Sequence, residues 1–197
     1  MRRLRSRRHE ERGVAIVETA VVLPFLVLLV LGIWEFSAGW QANLNVQATV
    51  RAAARTGSSL GNDRAADYSI LQAAKAGLTK FSTSDIQRVV VFKASDPNGT
   101  IPAACVTGAS STSLACNVYT GSQVNTLTLA SFTGTTDCTG APDAAWCPIN
   151  RNVSQATPDY VGVYIRVLSR YQTGFFPGTG ITIEKTMVMR LEPKVVS

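Results

Sequence analysis

The side chains able to do chemistry are few, and their placement argues against catalysis. The one histidine, His9, sits in MRRLRSRRHEER, and a long apolar run separates it from the rest of the chain. A Ser-His-Asp or Cys-His arrangement, or an imidazole metal site, therefore cannot form in the part that follows. No phosphate-cradling G-x-x-x-x-G-K stretch is present, and the glycines of FFPGTG fall where a hairpin turn accounts for them. Asp137 and Asp143 could serve as acid and base, although scattered surface carboxylates are the ordinary reading. Two N-x-S/T triplets, at Asn98 and Asn152, occur at the rate chance supplies. Cys105, Cys116, Cys138 and Cys147 lack the C-x-x-C spacing of a zinc or redox site, so disulfides are the first expectation in an exported domain. Three pairings are open; pairing sequence neighbours would close loops of about ten residues, stabilising by about 2–3 kcal/mol each in the chain-entropy view. The chemistry thus predicts a protein that is no enzyme and carries no metal or cofactor.

The exceptional carboxylate is Glu18. It stands inside residues 14–34, a run of 21 in which only Glu18, Thr19, Pro24 and Gly32 are not strongly apolar. A helix of that length matches a bilayer core of roughly 30 Å. A carboxylate at the middle of such a helix costs on the order of 2.5–3.5 kcal/mol, less near its end, so Glu18 calls for a partner. Six arginines in the first twelve residues predict that this end stays in the cytoplasm and the remainder lies outside, as a single-pass cell membrane protein. The formal charge of +6 falls to +2 once residues 1–13 are set aside, leaving 13 basic and 11 acidic residues. The basicity is a topology signal, and no nucleic-acid partner is implied. Glu18 is also five residues past Gly13. A cut between Gly13 and Val14 would make it the fifth residue of a chain beginning VAIVE with a free ammonium.

A short basic leader, a Gly before the cut, a Glu five residues on and an unbroken apolar helix resemble a type IV prepilin. More narrowly, RRHEERGVAIVETAVVLPFLVLLVLGIWEF resembles the start of TadE-like pseudopilins of the tight adherence (Tad) pilus systems, with a proline, here Pro24 at mid-span, inside the apolar run and Ile33-Trp34-Glu35-Phe36 closing it. Thr19 stands where many such chains have Phe, and Val14 where many mature pilins begin with Phe or Met. The closing MVMRLEP is similar to their last strand. The resemblance implies processing by a prepilin peptidase between Gly13 and Val14, and subunit assembly through Glu18. It also implies pilin or pseudopilin partners, membrane pilus assembly machinery and a role in adhesion. Two other readings compete. A secretory signal peptide would have a shorter core of about 7–15 residues. An uncleaved signal anchor would leave a cell-surface binding protein.

The elements that must position these residues follow from periodicity. The apolar helix is expected to run on to Thr56 and stop at Gly57, some 60 Å in all, with a bend near Pro24. Residues 58–64 read as a turn with Asn62 or Asp63 as a helix cap. Ile70, Ala73, Ala74, Gly77, Leu78 and Phe81 then mark one face of a second helix, with Asp67, Gln72, Lys75 and Lys80 facing elsewhere. IQRVVVFKAS reads as a strand ending at Asp96-Pro97-Asn98-Gly99. YVGVYIRVLSRY and ITIEKTMVMRL alternate with period two and form an antiparallel hairpin around residues 173–180. Phe175 and Phe176 at its tip either pack under the sheet or meet a partner. Residues 97–158 turn rich in Ser, Thr and Gly, and VNTLTLASF is their best strand candidate. The expected fold is α+β and pilin-like: a basic leader (1–13), a transmembrane and stalk helix (14–57), and an extracytoplasmic domain (58–197). That domain holds a small antiparallel sheet and a disulfide-stapled insertion (97–158).

Overall fold

The computed structural model describes the backbone of residues 4–174 and 176–193, and side chains from Val14 onward within them. One helix, α1 (Leu4–Leu60), runs from the leader into the folded head and continues through Pro24. From Val14 it is long and apolar enough to cross a membrane. It outruns the expected stop at Gly57, because Gly57 is interior, buried against Ile70 and Val161. The end comes at Gly61, which takes φ +58 and returns its N–H to the Gly57 carbonyl at 3.1 Å.

The helix cap expected at Asn62 or Asp63 falls instead on Ala65, which has no side-chain cap; Asp63 Oδ1 accepts from the Ala65 N–H at 2.8 Å in the turn before it, and α2 (Ala66–Gly77) folds back along α1. Contact is close because the two helices meet at Gly77, where a Cβ would stand 2.2 Å from Thr49 Oγ1. Asn45 of α1 also donates from Nδ2 to the Gly77 carbonyl at 3.0 Å.

Four antiparallel strands follow: β1 (Ile86–Ala94), β2 (Cys116–Tyr119), β3 (Tyr160–Arg170) and β4 (Gly180–Arg190), in spatial order β2-β1-β3-β4. The alternation read from the sequence is the alternation of faces. Val89 and Val91 of β1, with Val161, Val163, Ile165 and Val167 of β3, face Val46, Val50 and Ala53 of α1 and Ile70 and Leu71 of α2. The opposite face carries Val90, Phe92 and Tyr164, and Ile101 and the short helix α3 (Ala103–Thr107) close over it, with Cys105 bonded to Cys116.

The insertion departs from expectation. Residues 124–132 form no strand; they belong to two short helices, α4 (Gly121–Thr126) and α5 (Leu129–Thr133). Thr120 opens α4 with a reciprocal box, its Oγ1 accepting from the Gln123 N–H at 3.3 Å while Gln123 Oε1 accepts from the Thr120 N–H at 2.9 Å. Val124 and Phe132 reach the main core from these helices. The second disulfide, Cys138 to Cys147, ties the loop that follows.

Candidate functional site

The first feature of the site is the lower part of α1. Every residue from 14 to 30 is exposed, Val14 at 67 % and Phe25 at 66 %, and no described part of the head covers them. A surface this apolar is stable only against lipid or other helices. Glu18 lies on it, among Val14, Val17, Val21 and Val22, and no described side chain pairs with it. The Gly13–Val14 bond is part of the continuous helix. The side chains of residues 1–13, His9 included, lie outside the described residues.

The second feature sits where the apolar run ends. Glu35 is buried, and three donors converge on its Oε1: the Gln172 N–H at 2.7 Å, the Thr173 N–H at 2.6 Å and the Thr173 hydroxyl at 2.7 Å. Trp34 adds a bond from Nε1 to Gln172 Oε1 at 3.1 Å. Hydrogen bonds to an ionised acceptor are about twice as strong as neutral ones, so this carboxylate clamps the β3–β4 loop to the helix. A second anchor lies at the far end of α1, where the Ser58 hydroxyl donates to the Arg190 carbonyl at 2.5 Å and the Glu192 N–H donates to the Ser58 carbonyl at 3.0 Å. Between Glu35 and Ser58 the helix climbs about 34 Å at 1.5 Å per residue. β4 climbs about 33 Å over its length. Helix and strand therefore run side by side, fastened at both ends.

Residues 13–55 match the family model described as TadE-like protein. The match covers less than a quarter of the chain, and over it the chain is similar to that family. The matched residues hold Glu18, the apolar surface and Glu35, and they stop short of Leu60. No curated protein and no solved structure is detectably similar to the chain.

Beyond the matched segment, the head is held by a buried polar cluster around Asp67, whose place periodicity misjudges. Asp67, expected to face away from the core, is fully buried in the first turn of α2. Its Oδ2 accepts from Asn117 Nδ2 and from the Tyr119 hydroxyl, each at 2.8 Å, and its Oδ1 accepts from Arg151. The Arg151 guanidinium lies 4.1 Å from the Trp146 ring centre. Asn117 and Trp146 exchange two further bonds, at 3.0 and 2.9 Å. This cluster ties α2, β2 and residues 146–151 together.

The candidate acid and base of the sequence sit in different surroundings. Asp143 is buried 2.6 Å from Arg64, and burial raises its carboxyl above the ordinary range against the pull of that arginine. Asp137 is bonded by the Thr139 hydroxyl and N–H, which lower its carboxyl. In the sequence Glu35 stands out only as part of the close of the span. The available signal was its isolation as the one charged residue between Glu18 and Arg51.

Proposed function

We propose that the chain is a minor pseudopilin of a Tad-type pilus system, acting by assembly rather than catalysis and helping to initiate or tip a pilus for adhesion. One observation carries this: the TadE-like match over residues 13–55 falls on a helix whose apolar length the described head leaves bare. In this reading α1 crosses the cytoplasmic membrane once, with the arginine-rich leader inside. The head stands outside, where two disulfides persist. Prepilin peptidase cuts between Gly13 and Val14. The new Val14 ammonium then meets the Glu18 carboxylate of a neighbouring pilin-like subunit. Each charge alone is expensive at low dielectric, so their pairing favours one register of side-by-side helices. The exposed apolar residues supply the contact area.

The test is the amino-terminal sequence and intact mass of the membrane-extracted protein, expressed with and without prepilin peptidase. A chain starting at Val14 only in the presence of the peptidase is the expected result. A chain that keeps its arginines under both conditions overturns this mechanism, leaving a signal-anchored surface protein whose binding face must be sought in residues 97–158.

A further inference from the structure

The β3–β4 tip has no evident task inside the head. Residues 171–183 contain no charged side chain. Tyr171 packs against Phe176 with tilted rings whose centres are 5.5 Å apart, and Phe176 is itself 42 % exposed. Ile181, also exposed, packs beside Gly39 of α1, where its Cδ1 would lie 3.7 Å from a Cβ. An exposed, uncharged, aromatic tip on a soluble domain is an aggregation liability unless something covers it.

Its height along α1 says what does. The Glu35 clamp fixes Gln172 and Thr173 at the level where the apolar run ends, and Gln172 shares a shallow groove with Val30 and Ile33 of that run. On the helix at the same level stand Trp34, Phe36 and Trp40, all exposed. Trp40 is about 9 Å above Trp34, so the three span one headgroup layer, the depth at which aromatic side chains collect at membrane surfaces. Above the tip, Lys80 and the Asp85-paired Arg170 line the groove beside Tyr171, and Lys185 lines the groove beside Trp40 together with Glu184, so both signs of charge begin only above this aromatic level.

We propose that the β3–β4 tip is a membrane-surface contact, in which Phe176 and Ile181 enter the interfacial layer of the bilayer that α1 crosses. The head is then seated on the lipid surface by its own hairpin, and its tilt is set. This rests on the membrane-spanning reading of α1.

The test is Phe176→Trp in the full chain carrying Trp34→Phe and Trp40→Phe, placed in phosphatidylcholine and phosphatidylglycerol vesicles with bromine at a shallow acyl position. Trp146, in the head, remains as the unquenched internal reference. A second protein keeps Trp34 and carries Trp40→Phe alone. Both reporters are expected to lose at least half their emission to the brominated lipid. A reporter at 176 that escapes the bromine but is quenched by aqueous acrylamide, with Trp34 quenched by bromine, overturns the proposal and leaves the span intact. Shielding from both quenchers at position 176 also overturns it, pointing to a neighbouring protein copy over the tip. If Trp34 escapes the bromine as well, the span itself fails and the proposal falls with it.

Discussion

Asp67 accepts from three side chains in a site closed to water, and the consequence is clearest at Tyr119. Burial, and next the Asp67 charge, hold the Tyr119 phenol well above its ordinary value near 10. In the unfolded chain tyrosine ionises near 10. The folded state therefore keeps a proton that the unfolded state loses, and this contribution to stability is complete below about pH 10 and disappears as the pH climbs past it. Tyr119→Phe removes one buried hydrogen bond, worth about 1 kcal/mol, and removes that slope too. Thermal unfolding of the detergent-solubilised full chain from pH 8 to 11 should show a variant that is less stable at pH 8 and closes on the parent above pH 10. Parallel curves across that range would refute the assignment.

Where α1 and α2 touch, two opposing effects can be weighed. Alanine is about 1 kcal/mol better than glycine in a helix interior and gains less at the last helical residue, where Gly77 stands and where an alanine Cβ would press on Thr49 Oγ1 at 2.2 Å. Thr49 is β-branched and its hydroxyl already donates to the Asn45 carbonyl at 2.8 Å, so it cannot turn aside cheaply. Overpacking of about 1–3 kcal/mol should win. Gly77→Ala is expected to lower the melting temperature by several degrees, and adding Thr49→Ala should recover most of the loss. A stabilised single variant would show that the helices have room to part. The helical spacing of Ile70, Ala73, Ala74 and Gly77 announced the inward face of α2, and period two announced β3 and β4, because both patterns are local. Other elements were hidden because what decides them is not local. Val124 to Phe132 has strand-like composition, but the Thr120–Gln123 box starts a helix there. Asp67 looked like a solvated residue because its partner, Arg151, is 84 positions away. Of the candidate site, Glu18 could be singled out from its charge in an apolar run and the Gly13–Val14 bond only from the family resemblance, whereas the Glu35 clamp needs the hairpin to be folded before it exists.

At the scale of the molecule, the head is joined to its helix at two heights, and Glu35 is the lower fastening. Glu35→Ala should leave the sheet intact while freeing the tip. Hydrogen exchange at the Gln172 and Thr173 amides is expected to rise about tenfold or more, the factor one charge-assisted bond carries, with β1 amides unchanged. Equal acceleration throughout the head would mean that Glu35 supports the whole fold. The paired fastening also constrains how such a molecule can change in length. Helix and strand advance by different rulers, about 1.5 and 3.4 Å per residue. A strand can grow only by two residues if its faces are to be kept, about 6.8 Å, which falls between four and five helical residues. No small insertion satisfies both sides, so the distance between Glu35 and Ser58 is resistant to drift. Length variation among descendants of this chain is thereby steered sideways, into residues 95–158, where an added segment disturbs neither ruler.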